Sequence, residues 1–155
     1  MKISLTAIIG AIYVSLTVAL GSLSYSWIQV RISEALTPLP FLIGLPAVVG
    51  LTLGCCTANL FSPVGIPDLV FGPILTLTAA LLSWKFSFNR KAVACTYPVL
   101  INAFGVSCYI SLYYNVPYWT SVLTIGLGEF IASVLVGYPL LLAIERMRIA
   151  ERRES

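Results

Sequence analysis

From residue 3 to residue 144 the chain is a succession of apolar runs, broken only by short clusters of Gly, Pro, Asn and charge; no other feature limits its fold so severely. The runs cover residues 3–23, 33–43, 46–61, 68–84, 92–114 and 118–144. A membrane crossing needs about 20 such residues, and a helix is the one open-ended element that satisfies all its backbone polar groups inside lipid. With 59% hydrophobic residues, 10% charged ones and a mean hydropathy of +0.96, the chain lies outside the range of soluble domains. The expected fold is all-α, an integral membrane bundle of six transmembrane helices. It forms a single transmembrane domain over residues 1–155, with a short basic cytoplasmic tail from about 145.

The number of crossings is the open point. The run 33–43 would make an α-helix only about 16 Å long and is punctuated by Pro38, Pro40 and the nearby Pro46, so it can also join the next run as one kinked span. Six spans with the N-terminus inside leave Arg31 as the only one of nine basic residues outside; five with the N-terminus outside leave only Lys2. The positive-inside rule therefore scores both alike. Six is preferred because Gly44-Leu45-Pro46 reads as a break. Residues 3–23 exceed the 7–15 apolar residues of a signal-peptide core and are expected to stay as a span.

Several function classes are disfavoured. The formal charge of +3 comes largely from Lys85, Arg90, Lys91, Arg146, Arg148 and Arg152, which flank apolar runs and mark topology rather than a nucleic-acid surface. Histidine is absent. Cys55, Cys56, Cys95 and Cys108 sit in apolar runs without a C-x-x-C spacing, so neither a histidine metal site nor a redox dithiol is expected, and the cysteines read as small buried apolar residues. No cofactor is implied. There is no P-loop, so the chain does not hydrolyse ATP by itself. No nucleophile and base stand at useful spacing, which argues against an enzyme.

The informative residues are the polar ones inside apolar runs, because a charge at mid-bilayer costs roughly 2.5–3.5 kcal/mol on insertion scales. Glu129 lies about eleven residues into the last run, within Gly126-Leu127-Gly128-Glu129, where small neighbours permit close approach. Asn102 is similarly deep in the fifth run, Asn59 ends the third and Asp68 opens the fourth. Ser33 is a plausible N-cap placing Glu34 in a first helical turn, so Arg31 and Glu34 read either as a capped helix start with a local ion pair or as the rim of a pocket. Three acids and two carboxamides against one arginine suit a neutral or cationic ligand rich in N–H donors. Tyr25, Trp27, Tyr109, Tyr113, Tyr114, Tyr118 and Trp119 gather toward the outer face, as an aromatic belt or as cover for a flat ligand, with Trp27, Tyr118 and Trp119 the candidates for stacking.

RISEAL at 31–36, Ala58-Asn59-Leu60, Asp68-Leu69-Val70-Phe71-Gly72, Asn102-Ala103, Val116-Pro117-Tyr118-Trp119 and Gly126-Leu127-Gly128-Glu129 together resemble, in this order, the QueT family of queuosine-precursor transporters. The resemblance implies a six-helix substrate-binding S component of an energy-coupling-factor (ECF) importer in a prokaryotic cell membrane, with a 7-deazaguanine-type ligand. Its partners would be a transmembrane coupling subunit (T component) and two cytosolic ATPases. By the same resemblance Ala7 and Ala11 match the A-x-x-x-A pattern that meets the coupling subunit; small residues four apart do share one helix face. Glu129 would then accept the ligand's adjacent N–H groups. Glu34 or Asp68 would face a cationic substituent, and Arg31, Asn59 and Asn102 would serve the mixed edge. An S component for another vitamin, or a purely structural membrane subunit, remains the alternative.

Overall fold

The computed structural model describes residues 3–25 and 30–154, with side chains through residue 149. Every element among them is helical. Helix α1 (Ile3–Ala19) is followed by the single turn α2 (Gly21–Ser24), a 3₁₀ segment (Ile32–Leu36), and the short α3 (Pro40–Ile43). Then come α4 (Leu45–Asn59), α5 (Ile66–Lys85), α6 (Lys91–Tyr114) and α7 (Tyr118–Glu129); a π-helical segment (Phe130–Val136) joins α7 to α8 (Gly137–Glu154). Among the described residues three helices are long and apolar enough to cross a membrane: Ile66–Lys85, Lys91–Tyr114 and the continuous Tyr118–Ile149. Ile3–Ala19, Ile32–Ile43 and Leu45–Asn59 are shorter apolar helices.

The run 33–43 departs from a plain α-helix. Pro38 and Pro40 have no N–H to donate, and the residue before a proline is pushed out of the α region. The chain accordingly winds as 3₁₀ turns before one α turn, closed by Glu34 N–H to Arg31 O at 3.0 Å and Thr37 N–H to Glu34 O at 3.0 Å. Because 3₁₀ rises about 2.0 Å per residue, Ile32–Ile43 spans roughly 18–24 Å, more than its α-helical length. It starts at Arg31, paired with Asp68 at the start of α5, and ends where Arg148 of α8 donates to Leu42 O. Gly44, at φ 78°, stands against the Trp84 ring near the end of α5 and turns the chain into α4.

Helices α1 and α4 run side by side in close backbone contact, because a Cβ at Gly50 would come 2.6 Å from Thr6 O. Behind that crossing, Tyr13, Val48, Leu51, Cys55 and Leu141 form the main apolar core. A second cluster of Val64, Val106, Tyr109, Ile110 and Ile125 lies between α6 and α7. Two of the four cysteines depart from expectation: Cys55 and Cys95 are buried, whereas Cys56 and Cys108 are exposed on the helix exterior.

Candidate functional site

The interior holds separate hydrogen-bonded groups of polar side chains, centred on Asp68, Glu34 and Glu129. Glu34, Asp68 and Glu129 are 1%, 0% and 3% exposed, so each must find partners within the protein.

Arg31 and Glu34 do not form the local ion pair expected of a helix start. Arg31 Nη2 reaches 37 residues along the chain to Asp68 Oδ2 at 2.8 Å, its Nε donates to Ser24 O at 3.2 Å, and its guanidinium lies 5.6 Å from the centre of the Tyr25 ring. Tyr109 Oη donates to the other Asp68 oxygen at 2.7 Å. One buried clasp thus ties the segment after α2 to the start of α5 and the C-terminal half of α6. Asp68 occupies the first turn of α5, as expected, but spends both oxygens on this clasp rather than on capping that helix.

Ser33 does not cap a helix. It lies inside the 3₁₀ segment, where its hydroxyl accepts a hydrogen bond from Thr17 Oγ1 at 2.7 Å. Glu34 faces inward and accepts from the hydroxyls of Tyr13 on α1 and Thr37. Tyr13 could not be picked out from the sequence, and Tyr109 stood out only as one of an aromatic group, since a Tyr on an apolar helix reads as core or belt. Their signal is only that a buried Tyr hydroxyl needs a partner.

Asn59 Nδ2 donates to Asp68 O at 2.7 Å. Because a carbonyl only accepts, this fixes the carboxamide with Oδ1 facing away, and Oδ1 has no partner among the described residues. Asn102 Nδ2 donates to Glu129 Oε1 at 3.0 Å, while the buried Glu129 Oε2 has no partner among the described residues. Glu129 ends α7 where the π-helical segment begins; that segment packs on the 3₁₀ turn carrying Glu34, and at the following residue, the first of α8, a Cβ at Gly137 would come 2.9 Å from Ala35 O. Irregular backbone at membrane depth is tolerated where it is buried or lines a cavity, and π segments frequently mark functional sites.

The expected aromatic cover divides. Trp119 is 68% exposed, on the helix exterior, and packs edge-on against Tyr118 at 5.3 Å between ring centres. Tyr118 Oη is occupied by Phe104 O at 3.2 Å. Neither belongs to the buried polar set, and Trp27 lies outside the described residues. Ala7 and Ala11 are both exposed and line, with Gly10, Gly50 and Gly54, an open apolar groove of about 610 Å³ on the outer face of α1 and α4.

An apolar helical bundle enclosing a buried polar cluster has the character of a multi-pass membrane protein. The family model described as QueT transporter matches residues 3–146, and the chain belongs to this family, a transporter rather than an enzyme. It is also similar to a protein of Lactococcus lactis subsp. cremoris (strain MG1363) described as queuosine precursor transporter QueT, with 28% identity over 145 residues, 84% of each chain. No solved structure matches it.

Proposed function

We propose that this chain is the substrate-binding membrane subunit of an ECF-type importer and that it captures a queuosine precursor of the 7-deazaguanine type for ATP-driven uptake. The observation that carries this reading is the half-satisfied Glu129. Its Oε1 is fixed by Asn102 and its Oε2 is buried without a partner, an arrangement matched to two adjacent N–H donors on a flat heterocycle. The name of the Lactococcus relative supports the cargo class.

The chain crosses the membrane six times in this reading, with the basic end, which holds Lys85, Arg90, Lys91 and Arg148, in the cytoplasm. The course of Ile32–Ile43 between the two ends of α5 supports the sixth crossing. The Ala7–Ala11 face of the α1–α4 groove receives the coupling subunit, whose two ATPases supply the energy; the exposure of both alanines supports that contact. The Arg31–Asp68–Tyr109 clasp holds the outer end of the site in shape.

Calorimetric titration of the purified chain with aminomethyl- and cyano-7-deazaguanine tests the reading. Wild-type protein is expected to bind, and Glu129→Gln to bind about 100-fold more weakly, the loss expected when a charge-assisted pair becomes a neutral one with a misplaced donor. Folded wild-type protein that binds neither compound would refute the cargo.

A further inference from the structure

Two apolar grooves open on the outside of the bundle, and their walls differ. The α1–α4 groove contains Gly10, Gly50 and Gly54 beside Ala7 and Ala11, which let another helix approach at backbone distance. The second groove, of about 330 Å³, lies between α6 and the last helix. Ala92, Thr96 and Val99 form one wall, and Phe130, Val134 and Tyr138 of the π-helical segment and the start of α8 form the other. No glycine lines it, and the large side chains of the second wall hold a neighbouring backbone away. A slender flexible chain fits where a helix does not.

Positions 92, 96 and 99 are four and three residues apart and share one face of α6. Behind the groove the two helices are pinned together, since Ser133 donates to Cys95 O at 2.8 Å and both residues are fully buried. Thr96 donates its hydroxyl to Ala92 O at 2.8 Å, so its polar atom asks nothing of an occupant. From Ala92 to Val99 the groove runs about 10 Å along the helix, against about 15 Å for the hydrocarbon depth of one leaflet. It therefore matches most of one acyl chain's path.

The mouth of the groove lies at the basic end. Arg90 and Lys91 immediately precede Ala92; Arg90 is exposed, and Lys91 meets Glu145 at 2.9 Å with one of its three donors. Ser83 Oγ donates to Ala94 O at 2.9 Å, which sets the neighbouring Trp84 at the same level, with the Lys85 ammonium 4.2 Å from its ring centre. Such a tryptophan beside lysine marks the headgroup region. Among the described side chains this end carries Lys85, Arg90, Lys91, Arg146 and Arg148 against one acid, Glu145.

We propose that this groove holds one acyl chain of an anionic phospholipid, whose phosphate lies at Arg90 and Lys91. The walls supply apolar contact and the two cations supply the preference for negative charge. At its deep end the chain rests on Phe130, the residue after Glu129. Only the membrane crossing of α6 and the last helix is required, not the identity of the cargo.

Native mass spectrometry of the delipidated chain, titrated with phosphatidylglycerol or with phosphatidylcholine of the same acyl chains, tests the site. Wild type is expected to retain one phosphatidylglycerol at roughly tenfold lower concentration than phosphatidylcholine. Arg90→Gln is expected to lose most of that preference, and the groove-filling Ala92→Leu/Thr96→Leu to lose the retained lipid, whereas Ala11→Leu in the other groove keeps it. Equal retention of the two lipids by wild type, an unchanged preference in Arg90→Gln, or retention by the folded filled variant overturns the proposal. A dimer of the chain that the filling variant abolishes also overturns it, with a second copy as the occupant.

Discussion

Two sets of buried acids, those placed by the first five helices and the one on the α6–α7 pair, are equally removed from solvent but differ in what the protein does with them. Glu34 and Asp68 have every oxygen engaged, by Tyr13, Thr37, Tyr109 and Arg31. Glu129 has one oxygen engaged and one idle, with idle Ser107 and Ser121 hydroxyls on the same helix pair. A buried polar group left unmatched costs about 1–3 kcal/mol. The difference lies in the acids themselves, since Asn59 Oδ1 and Ser24 Oγ on the clasp side are also unmatched among the described residues; in the proposed reading the matched acids hold shape and Glu129 meets the solute. The two sets meet at the contact between the 3₁₀ turn after Arg31 and the π-helical segment after Glu129.

The largest effect expected from this division is at Asp68. Asp68→Ala leaves Arg31 buried without its counter-charge, a loss of about 3–5 kcal/mol, read as a melting temperature lower by about 10 °C in detergent. The paired change Arg31→Met/Asp68→Leu is expected to regain most of it. Wild-type melting of Asp68→Ala with selective loss of cargo binding would move Asp68 to the side of Glu129. Next is Tyr109→Phe, which removes one charge-assisted donor from Asp68 and is expected to cost about 1.5 kcal/mol in stability with cargo affinity within twofold of wild type; a tenfold affinity loss at unchanged melting would break the comparison at that residue. The smallest effect is at the basic end, where Lys91 Nζ and Glu145 Oε2 lie 2.9 Å apart but are 23% and 35% exposed. Lys91→Gln is expected to shift stability by under about 0.5 kcal/mol, and a larger shift would show that the basic end also carries structural charge.

How far the sequence reveals this division depends on the range over which each signal acts. Apolar periodicity marks the helices within a few residues, and the depth of Glu129 and Asn102 singles out both before any contact is known. What sequence spacing cannot show is partnership across helices. Arg31 lies three residues from Glu34 and pairs with Asp68, and Tyr13 reaches Glu34 from another helix. Neighbour rules for helices cover separations of three and four only. The 3₁₀ winding of Ile32–Leu36 is equally hidden, because Ser-Glu-Ala-Leu is compatible with an α-helix and the prolines that alter it follow. Ser107 and Ser121 look like ordinary small helical residues; only the lack of a partner among the described residues, visible in three dimensions, distinguishes them.

The π-helical stretch Phe130–Val136 fixes something besides local geometry. Each i→i+5 ring holds one residue more than an α-helical ring, so this stretch stores surplus chain between the acid and the tail. The direction in which Glu129 points is thereby set by a length as well as by a residue type. A relative whose last span is α-helical throughout would have to carry its acid at a neighbouring position to reach the same point, about 100° of helix rotation per residue. Aligned sequences of such proteins would show that acid shifted by one column, and a position-by-position comparison would mistake the shift for a loss.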